Sequence, residues 1–161
     1  MTADFSGHPD SIDDVLGHDH QTLDEALRTF SEALQTRPEA ARELLERLDG
    51  RLRVHMQWEE ERLFPAVRAR ATAAQRRSLE SLEIDHERLR ETLEDMKAAL
   101  NRGEIPAARR RLEDLLIFLQ GHNYDEEHGV YVDADRLLSP RERRELLAAF
   151  RRERAESDSS P

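Results

Sequence analysis

The stretch His55-Met56-Gln57-Trp58-Glu59-Glu60-Glu61-Arg62-Leu63-Phe64-Pro65 decides how this chain folds. It continues a helical apolar stripe formed by Leu44, Leu45, Leu48 and Leu52, and the next positions on that stripe are His55, Glu59 and Leu63. A histidine and a carboxylate therefore occupy core positions. Residues four apart on a helix stack about 6 Å apart along its axis, so both side chains reach toward one interior point. Burying such a pair is costly unless something compensates it, and a bound cation does so most directly.

The arrangement recurs at His122-Asn123-Tyr124-Asp125-Glu126-Glu127, where the stripe Leu112, Leu115, Leu119 runs on into His122 and Glu126. Both segments read H-x-x-x-E-E. Two more histidines interrupt apolar stripes without an H-x-x-x-E pair: His20 between Leu16 and Leu23, and His86 between Leu82 and Leu89. His20 and His86, His55 and His122, and Glu59 and Glu126 are all related by about 66 residues, the mark of an internal repeat. Asp19-His20 and Asp85-His86 line up in the same way. The chain reads as two copies of a helical hairpin, each bringing one lone histidine and one His/Glu pair.

Working outward, Ser11 with Asp14 resembles a helix N-cap, and the first helix is expected to run to about Thr36. Pro38 suits the first turn of a second helix reaching about Arg70, with Pro65 loosening its last turns. Thr72-Ala73-Ala74-Gln75 reads as a capping box opening a third helix, which Asn101-Arg102-Gly103 closes. Pro106 begins a fourth, whose stripe reaches at least Glu126 or Glu127 before Gly129. Short links between long helices imply antiparallel neighbours. The expected fold is all-α, an up-down-up-down four-helix bundle. Residues 130–138 read as irregular, and Ser139-Pro140 opens a short fifth C-terminal helix whose Leu146, Leu147 and Phe150 pack on the bundle. Residues 1–10 are expected to be a flexible lead-in, 11–155 the domain, and 156–161 a disordered tail.

Composition narrows the function. A net charge of −10 argues against nucleic acid and anionic membrane as partners. The absence of cysteine excludes disulfides, thiolate zinc sites, iron–sulfur clusters and a cysteine nucleophile. No apolar run approaches the roughly 18 residues of a membrane span, and the first residues lack the form of a signal peptide. The expected location is cytoplasmic.

Gathered by a bundle, His20, His55, Glu59, His86, His122 and Glu126 are the candidate metal ligands. Imidazoles with two carboxylates suit iron, manganese or zinc rather than calcium or magnesium. The repeat makes the set two-fold symmetric, so two metals is the economical count, each with two histidines and with Glu59 and Glu126 bridging. Glu60 and Glu127 lie about 100° round the helix from these carboxylates, on the flank of the site or at the surface. His8, His18 and His128 fall off the inward face. Trp58, Phe64, Tyr124 and Tyr131 flank the ligands as packing residues, with Tyr124 the candidate hydrogen-bond or electron donor.

On these residues the chain resembles the hemerythrin-like, or HHE cation-binding, family. The resemblance rests on His20 in Gly17-His18-Asp19-His20, on His55-x-x-x-Glu59-Glu60 with Leu63-Phe64-Pro65, on Asp85-His86, and on His122-x-x-x-Glu126-Glu127. Ala134 to Pro140 adds to it. It implies a non-haem centre of two iron ions, usually oxygen-bridged, that meets dioxygen, peroxide or nitric oxide and draws on an unknown electron donor. Manganese and zinc are the other metals. Oxygen-carrying hemerythrin has a second histidine one turn from the third-helix ligand, where this chain has Leu82 and Arg90. Its fourth helix uses His-x-x-x-x-Asp, which would select Glu127 where the repeat selects Glu126. Losing the fifth histidine turns the expectation from oxygen transport to redox reactivity or sensing. Iron-sensing and iron-repair members share the two His-x-x-x-Glu pairs, which keeps sensor, storage and repair roles open.

Overall fold

The structure, a computed structural model, describes residues 7–159. Helix α1 spans Ile12–Thr36 and α2 spans Pro38–Trp58; a π-helical turn, Glu59–Leu63, joins α2 to α3, Phe64–Arg68. Helix α4 is Ala73–Asn101 and α5 is Ile105–Asp125. A second π-turn, Glu126–Val130, leads into α6, Tyr131–Leu137, and α7, Pro140–Ser159, closes the chain. No strand occurs among the described residues.

The ends follow from local chemistry. Ser11 Oγ accepts from the Asp14 N–H at the start of α1, and Thr72 and Gln75 form a reciprocal capping box at the start of α4. Gly103 takes φ 73°, the left-handed conformation that glycine adopts without strain, and reverses the chain between α4 and α5. Each of α1 and α4 packs against both α2 and α5, giving the four-helix bundle with antiparallel neighbours. Helix α7 lies across α1 and α2, with Leu147 and Phe150 buried.

Three boundaries differ from the sequence reading. The fourth helical rod runs on past Gly129, and residues 130–137 are helical where the sequence read as irregular, because the π-turn absorbs Gly129 and α6 carries the rod on to Leu137. The second rod's departure from α-geometry begins at Glu59, ahead of Pro65. The second π-turn has Val132 in the corresponding place, so proline is not what makes these turns. At the C-terminus α7 stays helical through Glu156 to Ser159, held where Arg51 Nε donates to Asp158 at 3.1 Å. The lead-in falls largely outside the described residues, although Pro9 O accepts from Arg151 at 2.7 Å.

The core is divided. One apolar cluster joins Leu27, Phe30, Leu45, Leu93, Met96 and Leu112; another joins Ile12, Leu16, Trp58, Phe64, Leu82 and Phe150. On α1, α2, α4 and α5 the switch between clusters falls at the histidine. A polar layer lies between two apolar ones. Burying each leucine contributes about 1.5–3 kcal/mol, so the clusters supply the stability that lets the layer between them be polar.

Candidate metal centre

All six candidate ligands converge in that layer, and all six are buried, Glu59 and Glu126 completely (0%). The inward nitrogen of every histidine is Nε2. His20 Nε2 and His55 Nε2 lie 3.2 Å apart. Glu59 Oε1 is 3.4 Å from His55 Nε2, while its other oxygen, Oε2, is 3.3 Å from His86 Nε2. Glu126 behaves the same way: Oε2 is 3.2 Å from His20 Nε2, and Oε1 is 2.9 Å from His122 Nε2 and 3.5 Å from His86 Nε2. Each carboxylate turns one oxygen to the His20/His55 pair and the other to the His86/His122 pair. Among the described residues, His20, His55 and Glu126 form one group whose donor atoms lie within 4.8 Å of one another, and His86, His122 and Glu126 form a second.

The outward nitrogens meet a ring of carboxylates that follows the repeat. His55 Nδ1–H donates to Asp19 at 2.8 Å, His20 Nδ1–H to Glu127 at 2.7 Å, and His86 Nδ1–H to Glu60 at 2.8 Å. Asp85 stands 3.6 Å from His122 Nδ1, beyond hydrogen-bond reach. A carboxylate on Nδ1 fixes the tautomer whose Nε2 lone pair points inward and makes that nitrogen a better donor. Two arginines anchor the ring: Arg154 Nη2 donates to Asp19 at 2.7 Å and Arg90 Nη2 to Glu60 at 2.8 Å. Glu127, one residue beyond Glu126, therefore backs His20 from outside, and Glu60 does the same for His86.

Both π-turns begin at the inner carboxylates. In a regular α-helix a residue five positions on lies about 140° round the axis. The extra residue of a π-turn, marked by Phe64 N–H donating to Glu59 O and Tyr131 N–H to Glu126 O, brings it back over the carboxylate. Phe64 thus stacks on His86, with ring centres 5.7 Å apart, and Tyr131 lies over His20 at 5.6 Å. Tyr131, read from the sequence as a packing residue beside the ligands, instead brings its hydroxyl into the polar layer. Tyr124, the candidate donor in the sequence reading, is instead 60% exposed and stacks on His128, away from the layer.

The donor set fits a cation. Glu59 Oε2, Glu126 Oε1 and His86 Nε2 are buried and lack a hydrogen-bond partner, and all three face the same interior point. Buried polar groups are normally satisfied, and two adjoining buried carboxylates with one orphan oxygen each call for positive charge between them.

Without metal, protons supply that charge. Burial disfavours the imidazolium of His20, but hydrogen bonds to Glu126 and Glu127 outweigh it and raise the group to about 8. Against the same burial penalty, Glu59 and Asp19 raise His55 to about 10, and Glu126, Glu59 and Glu60 raise His86 to about 11. Burial opposes the Glu126 carboxylate, yet His122, His20 and His86 hold it well below its usual value. The raised histidines add stability that is complete below 6.5 and lost as pH climbs through 8 and beyond; the lowered carboxylate adds stability that is lost as pH falls below 4.5. Chelated protein should therefore melt highest between these limits and lower at pH 9 than at pH 6.5. Metal loading in weak buffer should release protons and tighten as pH rises, since the cation takes the protons' place. Thermal scans of chelated protein across this range check the first; a melting temperature that rises from pH 6.5 to 9 would contradict it.

A helical bundle with two buried His/Glu groups that share Glu126 fits the class of cation-binding bundles. Residues 11–134 match the hemerythrin HHE cation-binding domain family, and the chain belongs to that family. Neither the curated proteins nor the solved structures gave a match. No helix among the described residues is long and apolar enough to cross a membrane.

Proposed function

We propose that this protein holds two iron ions and uses them to bind dioxygen, peroxide or nitric oxide, with reduction of dioxygen or peroxide as its chemistry. The observation that carries this reading is the division of both inner carboxylates, one oxygen toward each histidine pair. A mononuclear site has no use for that division. His20 and His55 would hold one ion, His86 and His122 the other, and Glu59 and Glu126 would span both. Two ferrous ions would supply two electrons to an O–O bond, replenished by a reductant from outside the chain.

The remaining roles belong to the chain itself. Asp19, Glu60 and Glu127 orient the histidines through Nδ1. A small cavity lined by Leu23, Leu52, Met56 and Leu89 adjoins His20, His55 and His122. At about 10 Å³ it has no room for an organic substrate. Sensing is the second reading, favoured by the chain of contacts from α7 through Arg154 and Asp19 to His55.

The test is the visible spectrum of anaerobically iron-loaded protein before and after oxygen, followed by an argon purge. Direct conversion to a stable ferric spectrum supports reduction, whereas a coloured adduct that the purge reverses supports binding or sensing. Iron-loaded protein that responds to none of the three ligands would overturn the proposal.

A further inference from the structure

The two halves of the site are related by the repeat, yet they differ at one position. Phe64 follows Glu59 by five residues and Tyr131 follows Glu126 by five, so the two rings are counterparts across the pseudo-symmetry. The phenylalanine contributes only a face to His86. The tyrosine brings an oxygen into the polar layer: Tyr131 Oη lies 3.1 Å from His20 Nε2, 3.3 Å from His55 Nε2 and 3.2 Å from Glu126 Oε2, and donates to Glu59 Oε1 at 2.6 Å. It is fully buried (0%).

These distances have a specific meaning. Metal–nitrogen and metal–oxygen bonds of about 2.1 Å put neighbouring donors of one ion about 3 Å apart. Tyr131 Oη stands close to that spacing from all four donors of the His20/His55 half; among those donors the His20 and His55 nitrogens are 3.2 Å apart, Glu126 Oε2 is 3.2 Å from His20 Nε2 and Glu59 Oε1 is 3.4 Å from His55 Nε2. The same hydroxyl explains why the orphaned inner atoms, Glu59 Oε2, Glu126 Oε1 and His86 Nε2, all belong to the other half.

We propose that Tyr131 is a protein ligand to the metal held by His20 and His55, so that the two metal positions are chemically inequivalent: five protein donors on one side and four on the other. The inference rests on the di-iron reading above. Binding of ferric iron exchanges the phenolic O–H bond for an O–iron bond, and the proton leaves to solvent. The open coordination positions then fall mainly at the His86/His122 ion, which makes that half the place where a small ligand binds.

The experiment loads full-length protein with iron, oxidises it in air, and records iron per chain, visible absorption and resonance Raman spectra. The expected result is two irons with a phenolate-to-ferric charge-transfer band carrying tyrosine ring vibrations. In Tyr131→Phe, a change that keeps the ring and its packing, both irons should remain while the band disappears. Two irons with no such band in the unaltered protein, or a band that survives in Tyr131→Phe, would overturn the assignment of Tyr131 and leave the di-iron reading intact. Failure of the unaltered protein to take up iron would overturn both.

Discussion

Glu126→Ala should strip iron from both positions at once. Its two oxygens face different histidine pairs, at 3.2 Å from His20 and 2.9 Å from His122, so one truncation removes a donor from each ion. Loss of groups that merely support a ligand lowers metal affinity by about 10–100-fold, and loss of a shared inner donor should exceed that at each position. At micromolar protein and iron, the expected content falls from about two per chain to near zero. Glu127→Ala is the contrasting change. Glu127 touches only the outer nitrogen of His20 and is 35% exposed, so it should weaken one position by about 10–100-fold and spare the other. Both variants should keep their helical circular dichroism, because the apolar clusters on either side of the layer are untouched. Full iron content in Glu126→Ala, with Glu127→Ala depleted, would reassign the fourth-rod carboxylate.

Removing metal should lower thermal stability more than any single surface substitution. Metal binds the folded chain, where the donors are gathered, and not the unfolded one. At free metal of about a thousand times the dissociation constant the stabilisation is about 4 kcal/mol. For a chain of this length each kcal/mol shifts the melting temperature by about 2–4 °C, so chelation should lower it by about 8–16 °C. The secondary structure should persist at room temperature, since protonated histidines replace the lost cation in part. Comparing scans with and without chelator measures the shift. A fall in helicity at room temperature on chelation would favour the sensor reading, with α7 released through Arg154 and Asp19.

How much of this was readable beforehand depended on period. The histidines lie on α-helical stripes between leucines, so a repeat of 3.6 residues found them, and the offset between hairpins found Glu59 and Glu126 beside them. Two features broke that period. The π-turns bring Tyr131 and Phe64 back over the carboxylates, which no regular helical wheel shows. The same insertion hid α6, since Gly129 looks like a helix end until a wider turn accommodates it. The carboxylate ring was partly visible. Asp19 and Asp85 each precede a histidine in the repeat, but the histidine each one faces is on the next helix, a contact made by packing and absent from local sequence. Arg154 comes from still farther away, on a helix whose docking position only the tertiary structure reveals.

The measurement that tests the central claim most directly is anomalous diffraction from crystals of iron-loaded protein, with data collected on either side of the iron absorption edge. The account predicts two peaks per chain within the buried layer, one beside His20 and His55, the other beside His86 and His122, with Glu59 and Glu126 in contact with both. A single peak, or peaks on the surface with the layer empty, would contradict it.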